Sequence, residues 1–275
     1  MARIELVVTD LDGTLWHTAD EVHPGIPHAW AEVVARVPLL VATGRRVGST
    51  RGPLARIGVA PPAVVLNGAL VLDLASGHRY QRAPFPAAQA AAALAAFRDA
   101  GVEPCVYVDG GCDGPEVLVG SEPSTNPGHL AALGRAVAVA DLDTAVGEEV
   151  VLAFSIIGIP HGVLADAAAV LGPVAEVHLD RALDYPGMAS LTVAPRGQSK
   201  WNGVLAFCAE HSLDPARVLA VADGPNDVEL LTHAAVAVVP EEAHISARQL
   251  ADLTIPAALH GGWTSLPGLL HELTS

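Results

Sequence analysis

Charged and aromatic side chains are both scarce in this sequence. Asp, Glu, Lys and Arg make up 16% of the 275 residues and Phe, Trp and Tyr 4%, whereas hydrophobic residues make up 51%. This composition argues against an intrinsically disordered chain, because enough apolar surface is available for burial. With so few aromatic rings, the interior is expected to consist mainly of aliphatic side chains.

Basic residues are few, 15 against 30 acidic ones, and the formal net charge is −15. This balance argues against a nucleic-acid-binding protein and against binding to an anionic membrane surface. The longest apolar stretch, 150–165, contains Gly158, Pro160 and His161 and is too interrupted for a membrane span. A phosphorylated ligand would need a local cluster of metal and basic groups to overcome the overall repulsion.

Cysteine is nearly absent as well. Cys105, Cys112 and Cys208 show no metal-ligand spacing and form an odd number, which is typical of reduced thiols in a cytoplasmic protein. The sequence begins directly with a strand-like segment, without a basic and apolar leader. We therefore expect a cytoplasmic location.

The most informative segment, 4–14, is an apolar run that ends in two carboxylates, a glycine and a hydroxyl. Alternate side chains of a strand share a face, so Asp10 and Asp12 can converge, and Gly13 allows a sharp turn. Two carboxylates at a strand end suit Mg²⁺, which prefers oxygen ligands. A hairpin with an Asp-Gly turn would explain the same residues. The segment alone leaves both interpretations open.

Strand-like and helical segments alternate along most of the chain. Strand-like runs at 38–42, 63–66, 217–222 and 235–239 favour a parallel sheet with right-handed crossovers. A separate α+β module is predicted between the runs at 63–66 and 217–222. It contains helices predicted at 129–139 and 162–171 and a strand predicted at 174–179. We therefore predict a core domain of 1–83 and 194–275 with an inserted domain of 84–193.

Polar residues follow several predicted strands, at the sheet edge where open α/β sheets bind ligands. Each has an ordinary explanation in isolation. Thr43 could cap a helix, Lys200 could be solvated, and Asp223 and Asp227 could belong to an acidic turn. Together with Asp10 and its neighbours, however, they provide the carboxylates, hydroxyl and amine of a metal-and-phosphate site.

These residues resemble the motifs of the haloacid dehalogenase superfamily, in the family's order. The matching segments are Asp10-Leu11-Asp12-Gly13-Thr14-Leu15, Thr43-Gly44-Arg45, Lys200 and Asp223-Gly224-Pro225-Asn226-Asp227. Asn67-Gly68-Ala69 resembles a further signature of the Cof-type branch. Ala222 departs from the pattern, since the family usually has glycine there, and this puts the local backbone geometry in question.

The resemblance implies an α/β fold: a doubly wound, Rossmann-like parallel-sheet core with an inserted α+β cap of class IIB. It also implies a Mg²⁺-dependent phosphatase that hydrolyses a small phosphorylated metabolite, such as a sugar phosphate, through an aspartyl-phosphate. Asp10 would be the nucleophile and Asp12 the general acid and base. The implied metal ligands are Asp10, Asp12 through its backbone carbonyl, Asp223 and Asp227. The implied substrate-binding residues are Thr43, Gly44, Arg45, Lys200 and Asn226.

Two other functions stay open at this point: a phosphomannomutase-like enzyme and a non-catalytic binding protein with the same fold. The binder is disfavoured because it needs neither a nucleophile nor an acid. A mutase needs a strong second phosphate site in the cap. Between Ala87 and Leu191 the basic residues are only Arg98, Arg135 and Arg181. The sequence therefore favours a phosphatase.

Overall fold

The computed structural model describes residues 4–111, 114–173, 175–182 and 185–274. Cys112, one of the three cysteines, and Val174, the first residue of the strand predicted at 174–179, lie outside the described residues. The chain divides into a core unit, Met1–Gln81 with Ser199–Ser275, and an inserted unit, Arg82–Gln198.

The strands are, in chain order, Leu6–Thr9 (β1), Leu39–Ala42 (β2), Pro62–Val65 (β3), Leu70–Asp73 (β4), Arg79–Arg82 (β5), Cys105–Val108 (β6), Val117–Val119 (β7), Val137–Val139 (β8), Val151–Ile159 (β9), Glu176–Arg181 (β10), Ala189–Ala194 (β11), Val218–Val221 (β12), Val236–Pro240 (β13) and Leu253–Ile255 (β14). The α-helices are Ile26–Val34 (α1), Val47–Arg56 (α2), Ala87–Asp99 (α3), Pro127–Leu133 (α4), Leu142–Glu148 (α5), His161–Leu171 (α6), Lys200–His211 (α7), Val228–His233 (α8), Ile245–Arg248 (α9) and Leu266–Thr274 (α10). Short 3-10 turns lie at Leu66–Gly68, Gly134–Ala136, Pro215–Arg217, Pro225–Asp227, Ala258–His260 and Gly262–Ser265.

The core unit contains an eight-stranded sheet with the order β14-β13-β12-β1-β2-β3-β4-β5. The strands from β14 to β3 are parallel to their neighbours, whereas β4 runs antiparallel to β3. Every residue of β1, β2 and β12 is buried, which explains their continuous apolar sequences, since helices cover both faces of such sheets. On one face, Trp201, Val204 and Phe207 of α7 belong to the same apolar cluster as the central strands.

The inserted unit contains a six-stranded sheet with the order β10-β11-β9-β6-β7-β8. Most of its strand pairs are antiparallel; β7 and β8 are parallel. Ala90, Ala93, Leu94 and Phe97 form the buried stripe of α3, at the spacing of a helix with one apolar face. The predicted fold class, an α/β core with an inserted α+β unit, is confirmed.

Two local predictions were wrong. The helix predicted at 129–139 ends at Leu133, because Gly134 takes a φ of 55° and Val137–Val139 then pairs with β7. The strand predicted at 63–66 ends at Val65, because Leu66 and Asn67 have φ values of 50° and 51°. Both errors occur where a glycine or a left-handed residue interrupts a regular hydrophobic pattern. Within the described ranges, no helix combines the length and apolarity needed to cross a membrane.

Candidate active site

The candidate site lies in the core unit, in the loops that follow β1, β2, β3 and β12. These strands are parallel, so their carboxyl ends share one edge of the sheet. The first turns of α7 bring Lys200 to the same edge, because its ammonium contacts Asp10 directly after β1. Loops that are distant in the chain thus form one site.

The loop after β1 is a tight turn. The amides of Thr14, Leu15 and Trp16 all donate to the carbonyl of Leu11, at 3.2, 2.8 and 3.1 Å. Gly13 has a φ of 77°, and a Cβ there would lie 2.4 Å from Oδ2 of Asp223. Glycine is therefore required both by the backbone and by the close approach of the second acidic loop. The alternative of a hairpin is wrong, since residues 14–16 form no strand.

Lys200 is buried, with 1% of its surface exposed. Its Nζ lies 3.0 Å from Oδ1 of Asp10 and 2.6 Å from Oδ1 of Asp227. Burial by itself lowers the pKa of the ammonium, but the attraction of both carboxylates outweighs burial and raises that pKa above its ordinary value. The alternative of a solvated lysine is therefore wrong.

Three carboxylates meet beside this ammonium. Asp10, Asp223 and Asp227 each offer a ligand atom, and these atoms lie within 4.8 Å of one another. Thr14 Oγ1 donates to Oδ1 of Asp223 at 2.6 Å, and the amide of Gly224 donates to Oδ2 of Asp227 at 2.9 Å. The cluster thus has fixed oxygen atoms as potential metal ligands.

The electrostatics of this cluster favour a cation. Burial, opposed by Lys200 and reinforced by the neighbouring carboxylates, raises the pKa of Asp10 well above its ordinary value. Burial also raises the pKa of Asp223 to about 6, although the Thr14 hydrogen bond opposes it. A single ammonium does not balance three carboxylates. An oxygen-seeking divalent cation such as Mg²⁺ fits this donor set and would compensate the remaining negative charge.

The carboxylate of Asp12 has different partners. Arg45 donates to it through both Nε and Nη2, the latter at 2.6 Å from Oδ1, and Trp16 Nε1 donates at 3.0 Å. The guanidinium also lies 5.9 Å from the ring centroid of Trp16. Arg45 was expected to bind substrate, and the structure places it on Asp12. The Asp12 carboxylate therefore lies outside the cluster formed by Asp10, Asp223 and Asp227.

Thr43 follows β2 and is buried. The helix-cap explanation for this residue is wrong, because α2 begins at Val47 with Arg46 as its N-cap. Instead, Oγ1 of Thr43 accepts a hydrogen bond from the amide of Arg45 at 3.2 Å. Gly44 comes close to the next loop: a Cβ there would lie 3.1 Å from Oδ1 of Asn67.

Asn226 and Ala222 complete the set of residues singled out in the sequence. Nδ2 of Asn226 donates to Oδ1 of Asn67 at 3.1 Å, so the loops after β12 and β3 are joined directly. Ala222 is fully buried, and its amide donates to Val238 of β13. A side chain is thus accommodated where the family usually has glycine.

A hydrogen-bonded connection from Trp263 through Thr9 to Asp10, the candidate nucleophile, was not predicted from the sequence. Nε1 of Trp263 donates to Oγ1 of Thr9 at 3.0 Å, and Thr9 donates to the carbonyl of Asp10 at 2.8 Å. Trp263 is fully buried and stacks on Trp30 with ring centroids 5.7 Å apart. No local pattern could have revealed it, because 254 positions separate Thr9 from Trp263.

Comparisons with known proteins agree with this geometry. The sequence model of the haloacid dehalogenase-like hydrolases matches residues 7–116 and 178–262. Phosphoglycolate phosphatase of Methanopyrus kandleri is 36% identical over 75 residues, which are 27% of this chain. That match spans only 32% of the length of the relative.

Solved structures resemble the whole chain at low identity. The haloalkanoate-superfamily phosphatase BT1666 of Bacteroides thetaiotaomicron has a TM-score of 0.77 and 18% identity, with 98% of this chain and 96% of that one covered. The subclass IIB sugar phosphatase BT4131 has a TM-score of 0.76 and 17% identity, with 97% and 99% covered. These similarities show a shared fold.

Proposed function

This chain belongs to the haloacid dehalogenase-like hydrolase family, and we propose that it is a Mg²⁺-dependent phosphatase acting on a small phosphorylated metabolite. The observation that carries the proposal is the contact of the buried Lys200 with Asp10, within a cluster of three carboxylates. A non-catalytic binder does not need a buried carboxylate held beside a buried amine. A sugar phosphate is the favoured substrate class, because BT4131 is a sugar phosphatase with this fold.

Asp10 is the proposed nucleophile. One of its carboxylate oxygens attacks phosphorus, and the bond from phosphorus to the leaving oxygen breaks, which leaves an aspartyl-phosphate. Water then attacks the same phosphorus, so that inorganic phosphate leaves and the Asp10 carboxylate is restored. Splitting one difficult transfer into two steps lowers each barrier. Lys200, 3.0 Å from Asp10, offsets the negative charge of both steps.

The metal site in this proposal consists of Asp10, Asp223, Asp227 and the backbone carbonyl of Asp12. A bound Mg²⁺ would offset the charge of the phosphoryl oxygens and of the carboxylates around them. Thr43 and the backbone at Gly44 hold the phosphoryl oxygens. Asn226 orients the same group through its amide.

Asp12 is the proposed general acid and base: its carboxyl protonates the leaving oxygen and later takes a proton from the attacking water. In the structure, both oxygens of this carboxyl group accept hydrogen bonds from the Arg45 fork and are not available to a substrate. We therefore infer that this pair opens when the substrate binds. Once the pair has opened, Arg45 can contact the substrate, which reconciles its expected role with its observed position.

A phosphomutase is the alternative, and contacts within the inserted unit disfavour it. Arg98 is bound at 2.9 Å by Glu103 and at 2.7 Å by Asp143. Its guanidinium is thus engaged by two carboxylates and is not free to hold a second phosphate. Release of inorganic phosphate is the expected outcome.

A turnover screen tests the proposal. Purified protein is incubated with a panel of phosphorylated metabolites, including hexose phosphates, in excess Mg²⁺ or in excess chelator. Asp10→Asn should fold and lose turnover by several orders of magnitude, the scale known for removal of a nucleophile. Asp73→Asn is the matched control, because Asp73 pairs with Pro62 at the far end of β3 from the site and accepts hydrogen bonds from Ser76 in its own turn.

The outcomes of the screen separate the candidates. Full activity of Asp10→Asn, or full activity in chelator, would contradict the proposed mechanism. The reaction of a hexose 1-phosphate can be monitored by ³¹P NMR. Its conversion to the 6-phosphate without release of free phosphate would favour the mutase. Binding of a phosphorylated metabolite without turnover would favour the non-catalytic protein.

A further inference from the structure

The segment Leu66–Gly68, directly after β3, has an unusual backbone. Three consecutive residues have positive φ: 50° at Leu66, 51° at Asn67 and 107° at Gly68. This conformation is costly for residues other than glycine, least so for asparagine, and a bulky residue such as Leu66 rarely adopts it. Such residues persist only where the surrounding structure holds them, and they cluster at functional sites.

Two backbone hydrogen bonds hold this segment against the loop after β2. The amide of Leu66 donates to the carbonyl of Arg45 at 3.0 Å, and the amide of Asn67 donates to the carbonyl of Thr43 at 3.1 Å. Both ends of the loop Thr43–Arg45 are thereby fixed. In the proposed function, this loop holds the phosphoryl oxygens.

Contacts to two further loops meet at the same place. Oδ1 of Asn67, a residue with only 6% exposure, accepts the hydrogen bond from Nδ2 of Asn226. A Cβ at Gly68 would lie 2.1 Å from the carbonyl oxygen of Ser199, the N-cap of the helix that begins with Lys200. The segment is therefore the point where three loops of the site contact one another.

We propose that Asn67 is a positioning residue, which sets the orientation of the Asn226 amide and the backbone of Thr43–Arg45 for phosphoryl binding. This inference rests on the proposed function for its effect on turnover. The strained backbone of Asn67 brings its side-chain oxygen to Asn226, and the backbone amide of Asn67 donates to the carbonyl of Thr43. A residue that merely tolerates a turn would have no need of that oxygen, and glycine would serve as well.

The activity test is a double-mutant cycle on kcat/KM for p-nitrophenyl phosphate with Mg²⁺. Asn67→Gly keeps the positive φ without strain, so the variant should fold with a similar Tm. It should nevertheless lose about 10–100-fold in kcat/KM, the scale for residues that orient the groups in contact with a ligand. Asn226→Ala should lose a similar factor. If the two act through one another, the double variant should lie within about threefold of the worse single variant.

The matched control is Ser212→Gly, because Ser212 also has a positive φ, 55°, but lies at the C-terminal end of α7. Its kcat/KM should stay within about twofold of the wild type. Three results would overturn the proposal: Asn67→Gly within threefold of the wild type, losses that multiply in the double variant, or an equal loss in Ser212→Gly.

A second readout does not depend on turnover. In the wild type, the side-chain NH2 of Asn226 should exchange protons with solvent at least tenfold more slowly than free asparagine, since Asn67 accepts from it. This protection should disappear in Asn67→Gly. A wild type without protection overturns the positioning role, even if Asn67→Gly fails to fold. If the wild type hydrolyses no phosphomonoester, the proposed function fails and the exchange rate alone decides the role of Asn67.

Discussion

Replacing Lys200 by methionine is the most informative perturbation of this site. The change keeps most of the side-chain volume and removes the ammonium that contacts Asp10 at 3.0 Å and Asp227 at 2.6 Å. At an effective dielectric constant of about 20, each of these contacts contributes about 5.5–6.5 kcal/mol of attraction. Desolvation of the buried ammonium offsets much of this, so the net cost should be about 3–5 kcal/mol, as for other broken buried pairs.

The cost should depend on pH, because the remaining carboxylates can take up a proton. The pKa of Asp10 is already raised by burial, and loss of Lys200 raises it further. A carboxyl with a raised folded-state pKa contributes stability below its unfolded pKa and loses that contribution as pH rises through the folded value. The difference in unfolding free energy between wild type and Lys200→Met should therefore be smaller at pH 5 than at pH 8, where it should reach about 3–5 kcal/mol.

Urea unfolding in chelator, followed by tryptophan fluorescence, measures this difference. All four tryptophans, at positions 16, 30, 201 and 263, belong to the core unit, so the signal reports that unit alone. Arg217→Met is the matched control: its ion pair with Glu5 is partly exposed to solvent, so the cost should stay below about 1 kcal/mol. A Lys200→Met deficit below about 1 kcal/mol at pH 8, or one equal at pH 5 and pH 8, would refute the reasoning.

The wild type allows an independent check, because Lys200 is the only lysine of the chain. Protein grown with ¹³C-labelled lysine should give a single set of side-chain signals. In a titration, these signals should show that more than half of the ammonium is still protonated at pH 10.5, the ordinary pKa of lysine. Half-deprotonation at that pH would mean that the carboxylates do not hold the proton.

Three further predictions concern other residues of the site. Because burial raises the pKa of Asp223 to about 6 and also raises that of Asp10, and both must be ionised to bind a metal, the Mg²⁺ affinity measured by calorimetry should fall by about tenfold or more per pH unit below 6; a pH-independent affinity would contradict this assignment. Asp12→Asn should lower kcat by about 10²–10⁴-fold, and least for p-nitrophenyl phosphate, whose leaving group needs little protonation; equal losses for leaving groups of different pKa would indicate a structural role. Trp263→Phe should lower the unfolding free energy in urea by about 1–3 kcal/mol, because the buried Thr9 hydroxyl loses its donor; unchanged stability would show that this hydrogen bond contributes nothing.

The fold class and the sheet edge that carries the site could be predicted from local sequence. Continuous apolar strands such as Leu39–Ala42, each followed by a polar turn and a helix, are typical of a parallel sheet, and that sheet is observed. The parallel direction places the ends of β1, β2, β3 and β12 together regardless of loop detail. Asp10, Thr43 and Asp223 were identified for this reason, since each directly follows, or lies within two positions of, a strand end.

Local sequence did not predict the backbone conformation or the side-chain burial of residues whose surroundings are set by distant parts of the chain. Leu66 reads as the last residue of a strand, yet contacts with Arg45, Thr43 and Ser199 hold its segment in the left-handed region. The local sequence around Lys200 would also suit a solvated lysine in the first turn of a helix. Its burial follows only when Asp10 and Asp227, from two other loops, approach its ammonium.

The sequence by itself therefore determined the order of strands and helices and the chemical types available at one sheet edge, because hydrophobic periodicity and turn residues act over a few positions. Tertiary structure alone decided which of those groups pair. Arg45 binds Asp12, Asn67 binds Asn226, and Trp263 reaches Thr9. Side-chain hydrogen bonds depend on distances of about 3 Å between residues far apart in the chain, and only the packed sheet and its loops set those distances.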